Sequence, residues 1–274
     1  MRKRIRSASD HLFFRHDDVL VIAHRGGGGL WPENTLHAFE RAVRMGANAL
    51  ETDIRGTKDG QIVLIHDRTV DRTTNGSGPV RQLTLTELRG LCASHNWSPH
   101  GDARHFPLRG KDIRIPTLAE AFAAFPDTRM HIDIKERNPA IIRPFCQMIR
   151  EYGKSEQVLV ASFHADILKA FRRICPEVAT SASKAEIRLF YGLSKVRLGA
   201  VYSPRVGALQ VPDAVGRIRI VTRQFVDTAH KHRMKVYVWT VNQIGDMRRL
   251  LNLGVDGIIT DFPDRLLMSL KRQI

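Results

Sequence analysis

The residues with the clearest chemical potential are two acidic side chains two positions apart, Glu51 and Asp53, in the run 49–55. Alternate residues of a strand share a face, so Glu51 and Asp53 point one way while Leu50, Thr52 and Ile54 point the other. Crowded carboxylates repel unless a cation or a shared proton intervenes. Hard oxygen ligands of this kind suit Mg²⁺, Ca²⁺ or Mn²⁺ better than a soft metal. A solvated strand end or salt bridges to arginines would also account for the pair. The pattern returns at 130–135, where His131, Asp133 and Lys135 share a face opposite Ile132 and Ile134. Asp133 offers a third carboxylate, and Lys135 offers a point charge for a phosphate oxygen. A buried ion pair is the structural alternative, and it loses force when two strands show the same inversion. His24 and His66 each follow a strand-like run, and such a pair can divide general base and general acid work near neutral pH. Arg25 suits bidentate phosphate binding or a surface salt bridge. Trp239 shares a face with Tyr237 and is placed either as an apolar wall for a substrate or as core.

These side chains need a frame. Residues 19–23 are apolar and end at His24, as a buried strand would. Pro32-Glu33-Asn34-Thr35 then opens 36–45, where Leu36, Phe39, Ala42 and Val43 recur at helical spacing until Gly46. Runs 49–55 and 61–66 read as strands joined by the turn Lys58-Asp59-Gly60. Strands are expected again at 130–135, 157–163, 178–183, 235–241 and 257–260. Helices are expected at 140–152, 165–173, 185–191, 223–232, 244–253 and from Asp264 onward. Such alternation implies an α/β protein with a parallel sheet and helices outside it. A length of 274 residues favours a single closed TIM (β/α)8 barrel over a doubly wound open sheet. Residues 73–115 are rich in Gly and Pro and read as an inserted excursion after the His66 strand, and 201–219 also reads as loop. With no repeat and no linker, one domain is expected over 1–274.

Composition narrows the function classes. No run of about 18 apolar residues suggests a membrane span, and the basic start (Arg2, Lys3, Arg4, Arg6) lacks the apolar core of a secretory signal. A cytoplasmic location, peripheral to a membrane at most, is therefore expected. Cys92, Cys146 and Cys175 form no CxxC pair and no disulfide framework, in keeping with a reducing compartment. The net charge of +15, from 43 Lys and Arg against 28 Asp and Glu, favours anionic partners such as phosphate esters or an acidic membrane surface. Nucleic acid has charge alone behind it, so no specific nucleic-acid partner is expected. The glycines at 26–29 fail the dinucleotide fingerprint, because Trp31 and Pro32 occupy the third-glycine positions. No Gly-Lys-Ser/Thr follows, so a phosphate-binding P-loop fails as well. What remains is a loop through which backbone can approach an anion at a helix N-terminus.

Taken together, the motifs resemble those of the glycerophosphodiester phosphodiesterase family. His24-Arg25-Gly26 and Pro32-Glu33-Asn34-Thr35 resemble its first block; Glu51-Thr52-Asp53, Thr57-Lys58-Asp59-Gly60, His66-Asp67 and Asp71-Arg72-Thr73-Thr74 resemble its second. Ile115-Pro116-Thr117-Leu118, His131-Ile132-Asp133-Ile134-Lys135, Ser162-Phe163, Val238-Trp239-Thr240-Val241-Asn242, Gly254-Val255-Asp256-Gly257 and Thr260-Asp261-Phe262-Pro263 follow in family order. The resemblance implies a TIM barrel with the family's insertion at about 73–115. It also implies one divalent cation, Ca²⁺ or Mg²⁺ with Mn²⁺ as a further candidate, on Glu51, Asp53 and Asp133. Asp133 stands where the family more often carries glutamate. His24 and His66 are implied as the acid–base pair, with Arg25 and Lys135 on phosphate. The implied reaction cleaves a glycerophosphodiester to glycerol 3-phosphate and an alcohol, with the substrate's own glycerol hydroxyl as one candidate nucleophile. Lysophospholipase D-like cleavage of a lysophospholipid is the neighbouring expectation, motivated by the positive charge. A non-catalytic barrel that binds anions or membrane, and a proton-abstracting barrel enzyme using the same carboxylates, are readings of a different class. The former is opposed by the joint survival of His24, Glu51, Asp53, His66 and Lys135.

Overall fold

A computed structural model describes residues 11–99, 102, 104–196 and 206–271. Eight parallel strands surround a common interior: β1 (Leu20–Ala23), β2 (Ala49–Gly56), β4 (Arg129–Ile134), β5 (Val158–Ala161), β6 (Ala179–Thr180), β7 (Ala208–Pro212), β10 (Lys235–Trp239) and β11 (Gly257–Thr260). Their spatial order is β6-β5-β4-β2-β1-β11-β10-β7. The remaining seam between β6 and β7 is closed by the parallel bridge Ser181–Ala208, so the barrel is nearly complete. β3 (Ile62–Leu64) runs antiparallel against β2 and is not a barrel stave. Helices α1 (Leu36–Met45), α3 (Leu118–Ala124), α4 (Ile142–Glu151), α5 (Ala165–Ile174), α6 (Lys184–Lys195), α7 (Arg223–Lys231), α8 (Ile244–Leu253) and α9 (Pro263–Ser269) follow the staves. Several begin at a residue made for the purpose: Thr35, Thr117, Ser183 and Thr222 each accept a backbone N–H of the first turn.

The strand positions that alternate outward, such as Leu50, Ile54, Ile132 and Ile134, pack with Phe39, Phe122 and Phe145 of the helices. The inward positions fill the barrel in layers. At the N-terminal end of the strands, Phe13 of the 3-10 turn Leu12–Phe14 plugs the floor with Tyr237 and His131 stacked edge-on above it. The excursion carries α2 (Leu85–Arg89) and a cluster of its own in which Val70, Val80, Leu88 and Ile113 pack on Val63 of β3.

Two expectations are corrected and one is made specific. The segment 201–219, read as loop, holds the barrel strand β7 and a two-stranded hairpin, β8 (Ala214–Val215) and β9 (Ile218–Arg219); its residues up to 205 lie outside those described. The strand read at 61–66 is β3, antiparallel to β2 as the turn Lys58-Asp59-Gly60 implies, since the chain reverses at Gly60 (φ +78°) and leaves no room for a crossover. Finally, Cys146 of α4 and Cys175 at the C-cap of α5 form a disulfide with Cα atoms 5.8 Å apart. The two helices are packed side by side, a proximity that linear spacing cannot show, so the cysteines carry no argument for a reducing compartment. No helix among the described residues is long and apolar enough to cross a membrane.

Candidate functional site

Register, more than periodicity, assembles the acidic cluster. In the parallel ladder β2–β4, Asp53 is level with Asp133 and Glu51 is level with His131. Asp53 and Asp133 therefore lie side by side on the barrel's inner surface, with Glu51 one step deeper along β2. All three are buried. Lys135, just past the end of β4, folds back between the two aspartates, with Nζ 2.6 Å from Asp133 Oδ2 and 3.0 Å from Asp53 Oδ1. Asn34 donates to Asp53 Oδ2 at 2.9 Å and accepts from Thr52 at 2.7 Å, which fixes the Asp53 carboxylate from the far side.

Electrostatically the three acids differ. Burial, reinforced by the neighbouring Asp53 charge, pushes Glu51 up to about 7. Burial works on Asp53 as well, but Lys135 and Arg25 outweigh it and hold that carboxyl below the usual range. Asp133 lies above its ordinary value because burial exceeds what Lys135 returns. Asp133 Oδ1 is buried and receives no hydrogen bond, and Asp53 Oδ1 meets only the Lys135 ammonium, at 3.0 Å. Three clustered hard-oxygen donors, one with an unsatisfied atom and one driven toward protonation, are a donor set that fits a divalent cation.

Both histidines are held in the same manner. His24 Nδ1 donates to Asp261 Oδ1 at 2.6 Å, and Asp261 is itself fixed by Asn242 at 2.7 Å. His66 Nδ1 donates to Asp67 Oδ1 at 2.6 Å. With Nδ1 engaged, each ring keeps Nε2 for the cavity that both rings line. His24 Nε2 stands 3.8 Å from Glu51. Burial lowers His24, yet Glu51 and Asp261 together bring it above its ordinary value. His66 goes the other way, with burial prevailing over Asp53 and Asp67.

Arg25 is left-handed (φ +51°), and its backbone N–H reaches Glu51 Oε2 at 3.0 Å. Its guanidinium bonds Glu33 at 2.9 Å, while Nε sits 3.4 Å from Asp53 without a hydrogen bond. Arg72 joins Glu33 to Asp67 through three contacts of 2.6–2.7 Å. A continuous chain of charges thus links Arg25 to His66. Trp239 ends β10 and lines the cavity edge-on to Phe163, at 5.9 Å between ring centres, whereas Tyr237 on the same face lies in the floor.

One reading is refined by depth and one is corrected. His131, counted with Asp133 by periodicity, faces inward below them, bonds Gln210 at 2.6 Å and is pushed by burial to about 3, a neutral floor residue. The glycine loop offers no anion cradle, because the N–H groups of Gly27, Gly28 and Gly29 bond the carbonyls of His24 and Asp261. Sequence reasoning also missed the orienting carboxylates Asp261 and Asp67. Both stand in quoted motifs, immediately beyond a strand, and only proximity in space reveals what they hold.

The cluster opens into a cavity of about 520 Å³ at the C-terminal end of the barrel strands. A protein described as glycerophosphodiester phosphodiesterase from Caldanaerobacter subterraneus is 34% identical, the match covering 93% of this chain and 98% of that one. Human lysophospholipase D GDPD1 is 28% identical over 89% of this chain and 84% of its own. The solved glycerophosphoryl diester phosphodiesterase domain of a Mycobacterium tuberculosis protein has the same fold, with a TM-score of 0.82 at 24% identity, covering 94% of this chain and all (100%) of that one. Residues 24–265 match the family described as the glycerophosphoryl diester phosphodiesterase family, and this chain belongs to it.

Proposed function

We propose that this chain is a metal-dependent hydrolase of glycerophosphodiesters, releasing glycerol 3-phosphate and an alcohol, with the barrel and its excursion acting as one catalytic domain. The observation that carries the reading is the meeting of Glu51 and Asp133, with Asp53 level with Asp133 in the ladder, and two carboxylate-held histidines at one cavity. Glu51, Asp53 and Asp133 would hold one Ca²⁺ or Mg²⁺ ion, which supplies Lewis-acid stabilisation of charge on the phosphoryl oxygens. Lys135, spanning both aspartates, and Arg25 add positive charge beside the same oxygens. Trp239 walls the substrate. The opposite shifts of the two rings divide the proton work: His66, below its ordinary value, is the acceptor at neutral pH, and His24, above it, the donor to the leaving alkoxide.

Purified enzyme with added Ca²⁺ or Mg²⁺ should release glycerol 3-phosphate from glycerophosphocholine, and EDTA should abolish the release. Turnover that survives complete chelation would remove the metal role, and no turnover on any glycerophosphodiester would remove the reading itself.

A second substrate class, lysophospholipids, is favoured by one observation. Beyond the charged cluster the wall of this cavity of about 520 Å³ is apolar, formed by Phe163, Ala182, Ile187, Tyr191, Ile220 and Trp239. Release of lysophosphatidic acid from lysophosphatidylcholine measures it directly.

A further inference from the structure

The rim of the cavity carries apolar side chains that nothing among the described residues covers. Phe163 after β5 is 56% exposed, and Val215 and Ile218 in the β8–β9 hairpin are 59% and 58% exposed. Phe163 and Val215 also line the cavity, so this apolar surface is continuous with the wall inside. Val215 and Ile218 are paired across the two-residue turn Gly216-Arg217, so both project from one face of the hairpin. Every residue from Ala214 to Arg219 is exposed. Solvent-facing apolar groups grouped in this way mark a surface that meets a partner.

Charge chooses the partner. Lys184 and Arg188, on the exposed turn of α6 that borders the cavity, and Arg217 at the hairpin tip make no ion pair among the described residues. Glu186 on the same helix is already engaged by Arg172, and Asp213 at the foot of the hairpin by Arg249. The rim is therefore apolar and cationic on a chain of net charge +15. A second copy would bring like charge against like charge. An anionic bilayer offers both an apolar interior for the projecting side chains and acidic headgroups for the cations.

We infer that the β8–β9 hairpin, with α6 and Phe163, docks the mouth of the cavity onto an anionic lipid surface. This extends the proposed hydrolysis by naming what brings the site to lipid. Membrane binding and turnover are read separately, so either can fail alone.

The test is flotation of the full chain with vesicles of phosphatidylcholine alone, or with roughly a third phosphatidylserine. Wild type should bind the anionic vesicles selectively, and rising salt should weaken the binding. The double variant Arg217→Glu, Ile218→Ser should bind about tenfold more weakly. Arg188→Glu, on a different element, should weaken it in the same direction. Both variants should keep wild-type melting behaviour and wild-type turnover of water-soluble glycerophosphocholine. The inference is overturned if wild type binds neutral and anionic vesicles alike, or if both variants bind as wild type does. It is equally overturned if sedimentation velocity finds a dimer that the hairpin variant dissociates, since the patch would then belong to a second copy.

Discussion

Each histidine at the site gives Nδ1 to a carboxylate, and the two carboxylates are anchored differently. Asp261 rests on the neutral Asn242, whereas Asp67 is gripped by Arg72, which also binds Glu33. Asp67, lifted by burial but held by Arg72 and His66, ends well below the usual carboxylate range. On the His24 side, burial opposes protonation and is overcome by Glu51 and then Asp261. Removing the negative charge of Asp261 should therefore lower the pKa of His24. In Asp261→Asn the alkaline limb of the kcat profile should move to lower pH, with kcat down by roughly 10-fold and KM little changed. His24→Ala should lose about 10²–10⁴ in kcat. An Asp261→Asn enzyme with an unmoved alkaline limb would mean that Asp261 does not act through His24.

At the scale of elements, the loop from β1 to α1 shows why a conformation must be built around the chemistry. Arg25 and Gly26 are both left-handed there, turning the chain so that the Arg25 N–H meets Glu51. A Cβ on Gly26 would lie 2.5 Å from the Phe39 ring of α1, in a backbone region that already disfavours side chains. Gly26→Ala should destabilise the fold by about 2–3 kcal/mol in urea unfolding, and unfolding at wild-type denaturant concentration would show that the loop simply shifts. The glycines at 26–29 were legible as a loop, but their packing role was not, since Phe39 and Phe262 reach them only through the fold. The acidic faces of β2 and β4 were legible because a two-residue period places side chains whatever the neighbours are. β7 was not, since a five-residue stave ending in Pro212 beside a tight hairpin carries too little period to separate from loop. His131 shows the converse: periodicity found its face correctly but could not tell floor from site, a matter of depth along the barrel.

Taken whole, the molecule is strongly basic yet holds at its centre a buried acidic cluster, and that contrast links folding to metal and pH. In the unfolded chain Glu51 titrates near 4.5, and in the metal-free fold near 7, because burial and Asp53 disfavour its charged form. Between those values the folded state binds more protons than the unfolded one, so stability from this group falls as pH rises. The neighbouring rise of Asp133 acts in the same sense. Asp53, which is lowered, acts below its unfolded value of 3.8, outside this window. A divalent cation needs the ionised carboxylates, so it should stabilise most where the metal-free protein is weakest. In EDTA, wild type should lose on the order of 2–3 kcal/mol relative to Glu51→Gln between pH 5 and pH 8. In melting temperature this is on the order of 5 °C for a chain of this size. Saturating Ca²⁺ or Mg²⁺ should raise the wild-type Tm more at pH 8 than at pH 5 and leave Glu51→Gln nearly unmoved. Differential scanning fluorimetry at both pH values, with and without metal, measures all four quantities. An equal metal shift at the two pH values, or an undiminished shift in Glu51→Gln, would place the cation away from Glu51 and leave the buried acid without its proposed partner.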